Sequence, residues 1–293
     1  MARRDVLGEE VDDFTTVTNG SKARALLAGQ KPDGGFGVHP YRKWAGAHWR
    51  LVSLVDLGIP GEHPGMAPAV ATVLDWLTSE RHRSRIRVID GLTRRCASQE
   101  GNALAVASQL GLASDPRVQL LAESLVGWQW PDGGWNCSVR ASGRRSSFHE
   151  TLPPIRGLFE YWRATGEDQA LQAARRAAEL LLEHRLFRAL KSGEPIHKSW
   201  VTLHYPPYWH YDVLGALNVL GRMQLTTDPR CSDGLEILAQ RRLEDGRWRP
   251  GGYWWNPPGS DRPNTDVVDW GRSAPNEMIT LTALRVYAAS GLL

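Results

Sequence analysis

One nine-residue segment concentrates the groups that chemistry can use. His204-Tyr205-Pro206-Pro207-Tyr208-Trp209-His210-Tyr211-Asp212 sets six aromatic or imidazole side chains ahead of a carboxylate. Aromatic faces stabilise a cation without attacking it. A histidine two residues from an aspartate can tune that acid or relay its proton. The segment therefore suits proton transfer to or from an apolar substrate. Asp212 is the acid or base, His210 assists it, and Tyr205, Tyr208, Trp209 and Tyr211 form the wall. The plainer alternative is a bulky loop that plugs an interior. Phe148-His149-Glu150 repeats the imidazole–carboxylate pairing. Trp44, Trp49, Trp254, Trp255 and Trp270 are further candidates for a substrate wall. With 13 Trp against 5 Phe and 7 Tyr, indoles are also available as wedges between packed helices.

Metal and phosphate chemistry have weaker signals, and the expectation is no cofactor. Asp266 and Asp269 have a spacing that can hold Mg²⁺. Cys137 can ligate Zn²⁺ with His149 or His210, although no short ligand spacing accompanies it. Arg140, Arg144 and Arg145 can clamp a diphosphate or simply be solvated. The run Arg81-His82-Arg83-Ser84-Arg85-Ile86-Arg87 reads as an exposed turn. Neither a Gly-rich phosphate loop nor a Gly-x-Ser-x-Gly elbow is present.

These residues need a frame, and three near-copies of one motif supply it. They are Gln30-Lys31-Pro32-Asp33-Gly34-Gly35-Phe36, Gln129-Trp130-Pro131-Asp132-Gly133-Gly134-Trp135 and Gln240-Arg241-Arg242-Leu243-Glu244-Asp245-Gly246-Arg247-Trp248. Their Asp-Gly steps lie 99 and 113 residues apart, which marks a repeated supersecondary unit. Helical apolar spacing predicts helices over 20–29, 45–57, 66–79, 98–111, 116–129, 148–165, 168–187, 208–222, 230–242 and 274–290. Ser98, Ser147 and Ser273 stand where N-caps help, and Ser147 with Glu150 fits a capping box. Gly58, Gly111, Gly166 and Gly291 stand where helices stop. Asp228 before Pro229 reads as a helix start. Ten helices make five hairpins with Asp-Gly turns, Ile89-Asp90-Gly91 and Lys191-Ser192-Gly193-Glu194 being degenerate copies of the turn. The chain is expected to be one all-α domain over 1–293. Residues 1–18 would be a flexible N-terminal segment and 249–272 an insertion or lid loop.

The motif Gln-x-x-x-Asp-Gly-x-Trp resembles the QW motif of the prenyltransferase and squalene-cyclase repeat superfamily. That resemblance implies an α/α-toroid, an inner ring of helices inside an outer ring. It also implies a cyclase (an isomerase) or a transferase acting on terpenoid-like substrates. The Asp-x-Asp-Asp and Asp-Cys-Thr-Ala-Glu strings of the cyclases are absent. Cys137 follows the second motif much as the zinc cysteine of protein prenyltransferase β-subunits does, but Trp135 replaces the Asp two residues before it. In such a toroid the second helix of each hairpin is inner. The inner helices then begin with His48, Glu100, Glu150, Asp212 and Glu277, which converge on the cavity rim if the ring closes. Crowded carboxylates raise one another's pKa, so one can stay protonated and act as an acid. Acids at a first turn also stabilise the helix dipole with no function at all.

Bulk properties narrow the classes. Net charge is +3, with 42% hydrophobic and 23% charged residues, too balanced to indicate a nucleic-acid partner. No run approaches the ~20 apolar residues of a membrane span, although peripheral membrane contact remains open. Cys96, Cys137 and Cys231 are far apart, without a Cys-x-x-Cys pair, which suits a reduced, cytoplasmic setting. No signal-peptide pattern follows Arg3 and Arg4. The expected function is a terpenoid cyclase-like or prenyltransferase-like enzyme on a small apolar substrate. A toroidal glycosidase or lyase using paired carboxylates and a non-catalytic scaffold or carrier are the alternatives.

Overall fold

The structure, a computed structural model, describes residues 2–10 and 14–293. It is mostly helical, as the periodicity predicts. Ten longer helices carry the fold: α1 Ser21–Leu27, α2 Ala47–Asp56, α3 Met66–Thr78, α4 Ala97–Gln109, α5 Pro116–Trp128, α6 Phe148–Thr165, α7 Asp168–Glu183, α8 Val213–Arg222, α9 Ser232–Gln240 and α10 Glu277–Ala289. Among the described residues no helix is long and apolar enough to cross a membrane.

Most helix ends follow local signals. Gly58, Gly111, Gly166 and Gly291 all adopt positive φ, and Asp228 accepts the Arg230 N–H to start a short turn at Pro229. Three expected caps are corrected. Ser98 lies inside α4, Ser147 makes no side-chain cap bond, and Asn276, not Ser273, accepts the Met278 and Ile279 N–H groups at the start of α10. The helix expected from 208 begins at Val213, because Asp212 accepts the Gly215 N–H and fixes the first turn there. The helix expected to reach 187 stops at Glu183, where Arg185 and Leu186 turn to positive φ. Ile89-Asp90-Gly91 is not a helix–helix turn. Asp90 and Gly91, both at positive φ, close a two-residue hairpin between β1 Arg87–Ile89 and β2 Leu92–Arg94.

The first two copies of the motif join neighbouring hairpins. Gln129 donates to Gly133 O at 2.7 Å and to Ala173 O of α7 at 2.8 Å. Gln30 does the same with Gly34 O and Gly65 O. A Cβ on Gly133, whose φ is +93°, would lie 2.6 Å from Arg176 O, so only glycine lets the turn approach the next helix. Trp135 and Trp248 then wedge inward, fully buried. Each indole donates back to its own preceding helix, to Leu125 O and Leu238 O. Burying about 200 Å² of indole is worth roughly 5 kcal/mol.

The second helices touch in series: α2 on α4, α4 on α6, α6 on α8, α8 on α10. Their partners α3, α5 and α7 form a second layer in the same order. The α4–α6 contact is the most intimate because Gly101 and Gly157 face each other. A Cβ on Gly101 would sit 2.4 Å from Pro154 N, and one on Gly157 would sit 2.5 Å from Gly101 O. The last hairpin meets the first. Lys22 of α1 pairs with Glu277 of α10 at 3.2 Å, and Trp44 donates to Trp254 O at 2.9 Å. Of the segment 1–18 expected to be flexible, residues 1 and 11–13 lie outside the described residues. The remainder holds two helical turns, and Asp5 pairs with Arg285 of α10.

Candidate functional site

The chain approaches α4 through β2. Arg95 donates its N–H to Asn136 O at 3.1 Å, which draws the segment after the second motif alongside. Cys96 and Cys137 thereby become neighbours. Glu150, in the first turn of α6, reaches across to them. Its Oε2 accepts the Ser98 N–H at 2.9 Å, so it caps the adjacent helix α4 and not its own. The two Sγ atoms and a Glu150 carboxylate oxygen all lie within 4.8 Å of one another. The cysteines are half-buried and Glu150 is buried.

Proton distribution in this cluster follows from burial and hydrogen bonding. The Cys96 thiol donates to Cys137 and, with further help from Glu150, pulls the Cys137 thiol down to about 6. Cys96 moves upward for the same reason. Burial, reinforced by the Cys137 thiolate, pushes Glu150 up to about 8. Protons are thus drawn towards Cys96 and Glu150 and away from Cys137.

Beside it, Glu100 is buried and accepts from Arg95 Nε at 2.8 Å, with His82 Nε2 3.4 Å away. Burial pushes Glu100 up, and Arg95 opposes the shift. Burial, with Arg95 next, pulls His82 down to about 3. On the other flank a half-buried stack carries Trp209, His210 and Trp254. Centroids are 3.9 Å apart for Trp209–His210 and 4.0 Å for His210–Trp254, the latter planes inclined by only 4°. Lys43 Nζ lies 5.0 Å from the Trp209 ring. His210 Nδ1 donates to Pro207 O, leaving Nε2 free as an acceptor. Burial pulls this ring down to about 3. His149 Nδ1 accepts the Tyr211 N–H at 2.8 Å, so its proton sits on Nε2. Burial pulls it down to about 4.

Asp212 is occupied differently from the sequence expectation. Its Oδ2 accepts the His204 N–H at 3.0 Å and His204 Nδ1–H at 3.1 Å, while Oδ1 caps α8. His204, not His210, is its partner. Nearby, a cavity of about 80 Å³ takes polar residues from every second helix: Asp56, Asn102, Arg156, Asn218, and both Thr282 and Arg285 of α10. Asp56 and Arg156 pair at 2.8 Å, and the buried Tyr205 hydroxyl has no hydrogen-bond partner among the described residues.

The five helix-start residues do not converge. Glu100 and Glu150 are neighbours in charge and position. Glu277 is at the surface, its side chain 84% exposed. His48 is enclosed among Trp49, Tyr41 and Trp76 rings. Most expected wall residues are core. Trp44 stacks on Tyr208 at 3.8 Å, with Trp49 edge-on to both. Tyr211 donates to Leu186 O and Trp255 to Tyr205 O. Tyr208 and Trp270 donate to Asp266, which also accepts the Val267 and Val268 N–H groups. With four donors on Asp266, and Asp269 exposed and accepting from Gly271, the pair is not arranged as a Mg²⁺ site. Arg144 pairs with Asp90 at the surface. Cys96 is the functional candidate that sequence reading missed. Its 41-residue separation from Cys137 carries no ligand-spacing signal. No family model matches the chain, and no match is found among curated proteins.

Proposed function

We propose that the five hairpins form an α/α-toroid, and that the chain is a prenyltransferase-like enzyme with a thiolate–zinc centre on Cys96, Cys137 and Glu150. The ring is supported by the cavity shared among all five second helices and by the contacts of the last hairpin with the first. The juxtaposition of the three ligand groups carries the functional reading. Two sulfurs and one carboxylate, each from a different element, suit a zinc ion with a fourth position open. Bound zinc would keep the sulfurs ionised and hold a thiol or water at that position.

The chain's own residues supply the remainder. Glu150 supplies the carboxylate ligand, and the Ser98 N–H that its Oε2 accepts holds that group in place. Arg95 fixes Glu100 at the flank. Trp209, His210 and Trp254 offer a flat face for an apolar substrate, and Lys43 adds a cation at its edge. The inner cavity is too small for a terpenoid or a sugar ring with its neighbours, so substrate lies at the N-terminal ends of α4 and α6. With Asp212 engaged by His204 and Gly215, the acid of an alkene-protonating cyclase is less well supplied than the transferase reading. Two reduced thiols suit the cytoplasm.

Elemental analysis of protein purified without chelator tests this. About one zinc per chain is expected, lost in Cys137→Ser and Cys96→Ser while helicity is retained. Chain that takes up no zinc, with both thiols freely alkylated when the ion is supplied, removes the reading.

A further inference from the structure

The other end of α6 carries a second concave site. Trp162 lies twelve residues beyond Glu150, roughly 18 Å along the helix. There a groove of about 740 Å³ opens between the C-terminal parts of α6 and α8 and the first half of α7. Phe159, Trp162, Leu171 and Met223 give it an apolar floor. Arg163, Arg175 and Arg222 stand around it.

Two of these arginines have an ordinary explanation. Arg163 and Arg222 occupy the last turns of α6 and α8, where a cation complements the carbonyl end of a helix. Both also reach the buried Glu160. Arg222 spends Nε and Nη2 on that carboxylate and Arg163 spends Nη1, so each keeps N–H donors for another acceptor. Arg175 has neither explanation. It lies midway along α7, is exposed, and has no acceptor among the described residues. Glu167, the nearby acid at the start of α7, is turned onto the Gln169 N–H. Three guanidiniums therefore surround a groove with one carboxylate, over a floor of aromatic and aliphatic side chains.

We propose that this groove binds one free amphiphilic carboxylate. The head lies on Arg175 with the spare donors of Arg163 and Arg222, and the tail lies over Trp162 and Met223. Its volume is that of a single small-molecule site, which favours one molecule of ligand over a lipid surface. The guanidinium fork matches a carboxylate in geometry as well as charge.

Calorimetric titration of the full chain with decanoate, below its micelle concentration, tests the proposal. Saturable binding of one decanoate per chain is expected, with no binding of decyltrimethylammonium. Arg175→Glu should weaken decanoate at least about tenfold, the loss of one charge-assisted contact. Because Arg175 is exposed, circular dichroism should show that variant folded. Cys137→Ser should bind decanoate unchanged, which separates this site from the zinc reading. Absent decanoate binding, equal affinity in Arg175→Glu, or Arg175-dependent binding only to phosphatidylglycerol vesicles would each overturn it.

Discussion

Mild acid should act on this protein through a histidine that resists charging while it is folded. His48 is buried to 1% exposure, and neither ring nitrogen has a hydrogen-bond partner among the described residues. Leu51, Val70, Leu74 and Ala103 line the gap beside it, about 10 Å³, at the lower limit for one water. Burial alone pulls its pKa from 6.5 down to about 3. The unfolded chain therefore takes up this proton first as pH falls, while the folded chain waits until near pH 3. The stability attached to the neutral ring is fully present above about pH 6.5 and is lost progressively between that value and about 3. At about pH 5 the unfolded state gains RT ln(1 + 10^1.5), roughly 2 kcal/mol, and the folded state gains almost nothing. Against a total stability of ~5–15 kcal/mol this is a large share.

His48→Phe retains a ring of similar size and removes both the proton site and the two unpartnered nitrogens. Urea unfolding of both proteins, followed by tryptophan fluorescence at about pH 7.5 and about pH 5, isolates the effect. The other histidines cancel in the comparison because both chains carry them. The loss of stability between the two conditions should be smaller in His48→Phe by about 2 kcal/mol. The difference at pH 7.5 separately reports the balance of ring packing and the two orphaned nitrogens. Parallel losses in the two proteins would refute the reasoning, since they would mean that His48 is protonated in the fold.

Three further outcomes are expected. In metal-free protein the rate of Cys137 alkylation by iodoacetamide, read by mass spectrometry, should inflect near pH 6, and Cys96→Ala should move the inflection upward. A wild-type inflection near the ordinary thiol value of 9 would contradict the proton distribution of the cluster. Asp212→Asn should lower thermal and urea stability by about 1–3 kcal/mol, because one amide oxygen cannot accept all three N–H groups. An unchanged melting temperature would show that the cap and the His204 contacts contribute little. Trp248→Ala should cost about 3–5 kcal/mol in urea unfolding, while Trp248→Phe should cost much less by keeping the wedge and losing only the bond to Leu238 O. Equal losses would place the indole N–H, not the packed area, at the centre of the motif's role.

What the sequence made legible is local. Apolar periodicity and glycine stops place the helices because both act within a turn or two of chain. The α6 span 148–165 is read correctly from its apolar spacing and the stop at Gly166. The Ser147–Glu150 pair shows the limit of such reading. The local pattern predicts a capping box, yet the Glu150 carboxylate caps α4, fifty-two residues earlier in the chain. Only the Gly101–Gly157 crossing brings the two helix starts that close, and nothing in the residues around Glu150 encodes it.

The same limit explains why the acids at the helix starts do not share a rim. Each step along a helix turns the side chain by about 100°. Asp212 is a cap, whereas Glu277 is the first residue of its helix, His48 the second, Glu150 the third and Glu100 the fourth. Aligned by type they look equivalent, but they stand at five successive steps of the helical turn. Stacked hairpins fix where helices lie and leave the phase of each start to the segment leading into it. Those leading segments, β2 before α4 and the loop carrying Cys137 before α6, deliver Cys96 and Cys137 to Glu150. In this helical fold the repeat therefore builds the frame, and the irregular approach to each second helix decides where chemistry can sit.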